Sequence, residues 1–484
     1  MPTLTVIQGD EVRHIPFEGS PILRQLLTAE GVPFAHPCGG RGQCGHCAVA
    51  LSGAVSAPDE REQAAGTRLS CRARLLGDAE VRLPRPEPIR VEGAEGAGPF
   101  AGAMEEDLLG ALDLGTTTVA MKLYRSPDGP PVWGGGCLNP QTAVAADVIG
   151  RVQAALDGRG ESLRVLVRDA VRGLLAQARA AGVAGAVRRW VIAGNTAMLY
   201  LFTGRHPASL ARAPFAADHL FDETILLEDG AEAWLPPCLH AFAGADFSCA
   251  LFRSGLLEGP APALLCDLGT NGEIALWTGD RLYAASAAMG PALEGAGIRC
   301  GCGAVPGAVD RVFLLGGAVR AETIGGGPAR GLCGSGVIDA VACGLDGGWI
   351  DASGRMEAPL PIRDGVVLAP EDVRQVQLAK AALAAGIRRL MAEAGVRPER
   401  LKVCFLAGGF GSRLNLISAA RIGLIPAGTL PGARILGNAA LDGAAMLLRR
   451  ENRDRLRTAL GKAAYLPLGG DPDFNRMYME EIGF

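Results

Sequence analysis

Asp113-Leu114-Gly115-Thr116-Thr117-Thr118 and Asp267-Leu268-Gly269-Thr270-Asn271-Gly272-Glu273 share the residues D-L-G-T, offset by 154 positions. Each copy follows a short apolar run, LLGAL before the first and PALLC before the second, and leads into another apolar or β-branched run. The pattern predicts a strand, a tight glycine turn and a second strand, built twice. Glycine lets the backbone pass close to a phosphate, the amides and hydroxyls that follow donate to its oxygens, and the aspartate can hold magnesium directly or through water. A single Gly-Thr after a strand is usually only a turn. Repetition at this distance implies two related lobes gripping one nucleoside triphosphate, rather than a solenoid of short repeats.

A third piece agrees. Val403 to Leu406 is an apolar strand entering Ala407-Gly408-Gly409-Phe410-Gly411-Ser412, a glycine-rich turn suited to the flat face of an adenosine. Together the three turns resemble the two phosphate motifs and the adenosine motif of the acetate and sugar kinase, heat-shock chaperone and actin superfamily, over roughly residues 109–484. The resemblance implies a duplicated actin-like (ribonuclease H-like) ATPase fold, with a first lobe at 109–205 and a second at 206–484. It gives Asp113, Gly115, Thr116, Thr117, Asp267, Gly269, Thr270 and Asn271 to magnesium and phosphates, and Gly408, Gly409 and Gly411 to adenosine.

The start of the chain reads differently. Thr3 to Ile7 alternates as a strand, Glu11 to Phe17 returns as its hairpin partner, and Ser20-Pro21 opens a helix ending near Gly31. Cys38, Cys44 and Cys47 follow with C-x5-C-x2-C spacing, and Cys71 stands alone after a long gap. Four soft thiolates in a glycine-rich loop suit an iron-sulfur cluster, whereas structural zinc sites offer two short paired spacings. The spacing resembles plant-type and adrenal-type [2Fe-2S] ferredoxins, which implies a β-grasp ferredoxin domain over 1–83. His36 and His46 read as loop residues. Residues 84–108, rich in proline, glycine and glutamate, read as a linker on which the cluster domain swings. The fold class is thus α+β and α/β multidomain.

Composition narrows the partners. A chain of 484 residues with 49% hydrophobic residues carries several buried cores. Its formal charge of −4 offers no electrostatic case for nucleic acid or an anionic membrane. Lacking an apolar run of about 18 residues or a basic start before an apolar one, it is expected to be cytoplasmic. There, 13 cysteines argue for metal ligands or buried thiols over a disulfide framework.

Other motifs leave alternatives open. Val144 to Leu156 and Ser162 to Ala181 read as helices, the second burying Leu163, Val165, Leu166, Ala170, Val171 and Leu174. Asn195 and Thr196, at a strand end, either face the nucleotide cleft or cap a helix. Glu294, in the glycine-rich loop 287–297, either positions a water or metal beside the γ-phosphate or is a surface carboxylate. Gly334 and Ser335 open a helix whose amides could meet the nucleotide. Cys300 and Cys302 read as thiols rather than half of a metal site, Lys380 as a solvated helix residue, and Asn438 to Leu448 as the last helix of the second lobe.

A [2Fe-2S] domain joined by a linker to a duplicated ATPase core, with the turns DLGTTT, NPQ, AGNTAM, DLGTNGE, GPALEGAG and CGSGVIDA, is similar to the reductive activators of corrinoid proteins over nearly the whole chain. The resemblance implies an ATP-hydrolysing reductase that returns the Co(II) corrinoid of a partner methyl-transfer protein to Co(I), an upstream electron donor, and a homodimer formed through the second lobe. The short linker region departs from relatives that carry an additional small linker domain. Physical logic supports coupling to ATP. Plant-type clusters lie near about −400 mV, and each ~59 mV uphill costs tenfold in a one-electron equilibrium. ATP shifts that equilibrium only by favouring a conformation that binds the corrinoid protein differently in its two states. Rival readings are a small-molecule kinase with a redox-sensing ferredoxin domain, an activator of a radical dehydratase, and an electron carrier on a dead ATPase core.

Overall fold

The computed structural model describes the whole chain except residues 10, 31, 33, 35–46, 60, 61, 64–66, 84–106, 146, 214 and 410–412. Cys38, Cys44, His36, His46, Gly411 and nearly all of the expected linker lie outside the described residues.

The first unit is a five-stranded sheet built from β1 (Thr3–Gln8), β2 (Glu11–Pro16), β3 (Ala48–Val55), β4 (Arg68–Leu69) and β5 (Leu75–Leu83), in the order β2-β1-β5-β3-β4. Helix α1 (Leu23–Ala29) packs Leu23 and Leu27 against Leu4, Val6, Leu75 and Val81. β1 and β5 run parallel, which brings the two ends of this unit side by side.

The next sheet holds β6 (Leu108–Leu114), β7 (Thr118–Tyr124), β8 (Trp133–Leu138), β9 (Val187–Gly194), β10 (Glu223–Leu226) and β11 (Glu232–Leu235), ordered β10-β11-β9-β6-β7-β8. β10 and β11 lie beyond residue 205, so the division expected there cuts through this sheet; the pairing of β11 with β9, and of β10 with β11, could not be read from local pattern. Helices α2 (Val148–Ala154), α3 (Gly160–Ala180) and α4 (Thr196–Thr203) belong to the same lobe. The buried line on α3 is Leu163, Val167, Leu174 and Ala178, while Val165 is 45% exposed. A strict 3.6-residue stride from Leu163 leaves position 165 on the far side.

After α5 (Ala245–Ser254) the pattern repeats. β12 (Ala263–Leu268), β13 (Asn271–Trp277), β14 (Leu282–Ala288), β15 (Ala308–Leu315), β16 (Ala318–Thr323), β17 (Gly331–Leu332), β18 (Leu360–Arg363), β19 (Val366–Leu368), β20 (Val403–Gly408), β21 (Ala433–Gly437) and β22 (Ala463–Tyr465) follow, with helices α6 (Gly334–Asp346), α7 (Pro370–Glu393), α8 (Ala439–Met446), α9 (Arg450–Leu460) and α10 (Pro472–Glu480). The main sheet is ordered β21-β20-β12-β13-β14-β22. In both lobes the strand that carries D-L-G-T has an antiparallel hairpin partner on one side and a parallel strand on the other.

Two helices lie between the sheets. α5 turns Cys249 to the first sheet and Phe247, Ala250 and Leu251 to the second, and α8 turns Leu441 and Ala444 to the first and Ala439 to the second. They cross so closely at Gly443 that a Cβ there would overlap the Cys249 carbonyl. The stretch expected as the last helix of the second lobe is therefore an inter-lobe helix, and α9 and α10 follow it. Lys380 of α7, expected in solvent, is 2% exposed. Its ammonium donates to the Gly483 carbonyl and stands 4.0 Å from Glu481 and 5.6 Å from the Phe484 ring centre. That pocket is made by residues about a hundred positions away, which helical periodicity cannot show.

Candidate nucleotide and cluster sites

Parallel pairing sets the ends of neighbouring strands level, and in open α/β sheets that is where ligands bind. β6 and β9 match Leu114 with Gly194, which puts the first D-L-G-T turn beside Asn195. β12 and β20 match Leu268 with Gly408, which puts the second beside the glycine-rich turn. Gly408 has φ +120° and a Cβ there would overlap the Leu268 carbonyl, while Gly409 has open space around it. Only glycine satisfies the first position.

The two turns meet across one carboxylate. Glu294 ends a single 3-10 turn, Pro291–Glu294. Its Oε2 accepts from Thr117 Oγ1 at 3.3 Å and from Thr270 Oγ1 at 3.2 Å. Burial raises the Glu294 carboxyl above its usual range, and the two hydroxyls oppose that rise. α6, which begins at Gly334, packs against this 3-10 turn. Ser335 is buried beside the Cys333 thiol, 3.3 Å away, so its hydroxyl faces the interior.

Behind the turns, Asp113, Asp246, Asp267 and Glu273 converge. Each keeps some contact with solvent, yet protein surrounds it on most sides. Burial, reinforced by the Asp246 charge, pushes Asp113 up to about 7, with Asn438 opposing. Burial and the charges of Asp246 and Asp113 push Asp267 up to about 7. Asp246 rises to about 6 through burial, and Glu273 rises well above its usual range through burial and the charges of Asp246 and Asp267. Among the described residues, no cationic side chain offsets the burial of any of the four.

Asp246 and Asn438 escaped the sequence reading. Asp246 sits in the first turn of α5 and Asn438 caps α8, so both inter-lobe helices aim their N-termini at the cleft. Asn438 Nδ2 donates to Asp113 Oδ2 at 3.0 Å, and it is the N-cap of a helix entered from a strand, as Asn195 is. The repeated Gly-Asn at 194–195 and 437–438 was the available signal. Asn195 caps the helix, Oδ1 accepting from the Met198 amide at 2.9 Å, and its Nδ2 donates to Thr116 Oγ1 at 3.1 Å. Thr196 is fully buried and gives its hydroxyl to the His240 carbonyl at 2.8 Å.

In the first unit Cys47 and Cys71 are both buried, with sulfurs 3.2 Å apart. Hydrogen bonding from Cys71 brings the Cys47 thiol down to about 6 against burial. Two thiols facing each other without a bond suit ligation to a common thiophilic centre. Cys300 and Cys302 instead join Leu332 through backbone hydrogen bonds of 2.7 and 2.8 Å, and among the described residues no three His, Cys, Asp or Glu side chains form a direct metal cage. No described helix is long and apolar enough to cross a membrane.

Three family models match the chain: a 2Fe-2S iron-sulfur cluster binding domain over residues 7–76, the RACo middle region over 109–258, and the C-terminal domain of RACo, the ASKHA domain, over 261–484. A corrinoid activation enzyme of Eubacterium limosum is 32% identical over 419 residues, covering 77% of this chain and 70% of that protein. A [Co(II) methylated amine-specific corrinoid protein] reductase of Methanosarcina barkeri is 29% identical over 342 residues, covering 62% of this chain and 63% of that one. A solved structure of a reductive activator for a corrinoid, iron-sulfur protein superposes with a TM-score of 0.73 at 23% identity, covering 99% of this chain and 98% of that one.

Proposed function

The chain belongs to the RACo family of reductive activators of corrinoid proteins, and from that premise we propose how its own residues carry out ATP-dependent reductive activation. It is an iron-sulfur, nucleotide-binding reductase whose protein partner carries a corrinoid. The observation that carries the mechanism is the Glu294 bridge between Thr117 and Thr270.

ATP enters between the two D-L-G-T turns. Its phosphates take donors from Thr116, Thr117, Thr270 and Asn271, and its adenosine lies on Gly408, Gly409 and Gly411. Asp113, Asp246 and Asp267 are the residues that would hold magnesium, which would offset their mutual repulsion and the phosphate charge. The hydroxyls that now bind Glu294 turn to phosphate, which frees that carboxylate to orient the attacking water. Asn195 holds Thr116 in place, while Thr196 and Ser335 shape the surrounding backbone from the interior. Because the turns belong to different lobes, the nucleotide draws the lobes together around the crossing of α5 and α8.

Cys38, Cys44, Cys47 and Cys71 hold the cluster, of the [2Fe-2S] type. Once bound, it supplies a single low-potential electron. The electron passes to the partner's Co(II) corrinoid and yields Co(I); an upstream donor refills the chain. The reading includes a homodimer through the second lobe and a cytoplasmic setting.

The test is anaerobic single-turnover reduction of a Co(II) corrinoid partner by prereduced protein. ATP should accelerate it and Cys47→Ser should abolish it together with bound iron. Equal rates with and without ATP would overturn the reading.

A further inference from the structure

We propose that Arg151 is a positioning residue for the nucleotide: from beneath the first D-L-G-T turn it fixes the backbone that meets the phosphates and supplies a buried positive charge that those phosphates complete. The proposal rests on the nucleotide reading of the D-L-G-T turns.

Arg151 stands on α2 and is fully buried. Its Nη2 donates to the Thr116 carbonyl at 2.6 Å, its Nη1 to Gln141 Oε1 at 3.2 Å and to the Met198 sulfur at 3.3 Å, and its Nε to the Ala145 carbonyl at 3.1 Å. Asn139 Nδ2 holds the neighbouring Gly115 carbonyl at 2.8 Å. In a planar trans peptide the C=O and the N–H that follows it point opposite ways. Gripping the Gly115 and Thr116 carbonyls from the interior therefore turns the Thr116 and Thr117 amides outward, and among the described residues neither amide has a backbone acceptor. Successive unpaired amides at a glycine turn are donors for an anion.

The charge is a second, independent observation. Every hydrogen-bond acceptor of the guanidinium is neutral. Among the described residues the carboxylate acting on it is Asp147, which is engaged in capping α2 through the Gly150 amide at 2.7 Å. Burial brings Arg151 down to about 10, so it stays charged at neutral pH. A buried cation with no bonded carboxylate costs stability, and bracing a turn needs only a neutral donor. A triphosphate on the far side of the same peptide gives that charge its counter-ion, where Coulomb attraction is weakly screened.

Calorimetric binding of a non-hydrolysable ATP analogue with magnesium, on the full-length, cluster-loaded protein, tests this, with the nucleotide-free melting midpoint as the check on folding. Arg151→Met should bind the analogue at least about tenfold more weakly than wild type. Arg151→Lys, which keeps the charge with fewer donors, should recover most of that loss. Gln141→Glu leaves every Arg151 donor its acceptor and places a carboxylate on the guanidinium, so it too should weaken binding about tenfold; it decides the matter if Arg151→Met does not fold. A purely structural role predicts no loss in Gln141→Glu. Wild-type affinity in folded Gln141→Glu, or Arg151→Lys as weak as Arg151→Met, would overturn the proposal alone. Failure of the wild type to bind the analogue would overturn the nucleotide reading and this proposal with it.

Discussion

Replacing Asp246 with asparagine should make the nucleotide-free protein more stable while weakening its hold on magnesium-ATP. The Asp246 carboxyl rises from 3.8 to about 6 because burial penalises its charge. At about 1.36 kcal/mol per pH unit, and discounted because the group keeps some solvent contact, the ionised side chain costs roughly 1–2 kcal/mol. The sign follows from proton counting. A carboxyl raised in the folded state binds its proton there at pH values where the unfolded chain has lost it, so stability is full below about 4 and falls as pH rises through about 6. Asp113 and Asp267, each near 7, extend the loss toward pH 8. Asparagine keeps the acceptor that takes the Phe247 amide at 2.8 Å but carries no charge. All five tryptophans, at 133, 190, 234, 277 and 349, lie in the lobes, so their fluorescence reports lobe unfolding without the cluster domain. At pH 8 without magnesium, Asp246→Asn should melt about 2–5 °C above wild type, the gap narrowing toward pH 4. Magnesium-ATP should raise the wild-type midpoint more than the variant's. A variant that melts at or below wild type at pH 8 would refute the reasoning.

Gly408→Ala must place a Cβ against the Leu268 carbonyl at φ +120°; chemical denaturation should show a loss of about 2–4 kcal/mol, with weaker ATP binding by calorimetry. Glu294→Gln keeps the acceptor for Thr117 and Thr270 but not the charge, so ATP hydrolysis should fall about a hundredfold or more in a phosphate-release assay while the melting midpoint stays close to wild type. Lys380→Ala leaves the Gly483 carbonyl and Glu481 without their buried cation. Denaturant titration should show a cost of about 2–3 kcal/mol, with cluster content unchanged.

The site was legible where chemistry and local backbone shape coincide. The D-L-G-T turns and the glycine turn at 407–409 were readable as strand ends entering tight turns, because a few consecutive residues set the backbone there. Glu294 read as either a cleft or a surface carboxylate, and the structure sets it between Thr117 and Thr270. Asp246 and Asn438 were not legible: each looks like an ordinary helix start until the two inter-lobe helices are seen to converge. Val165 shows the limit of periodicity itself, since a residue can share a helix with the buried line and still face water.

The amino-acid order alone determined the duplicated strand-turn-strand units and the opening ββα unit, because these depend on φ/ψ preferences and side-chain period within short windows. Tertiary structure decided what those pieces share. It extended the first sheet to residue 235, buried Lys380, and set α5 and α8 crossing at Gly443. It also brought Thr117 and Thr270 onto one oxygen of Glu294 across more than 150 residues of sequence. These depend on which distant surfaces exclude water together, and no local pattern encodes that.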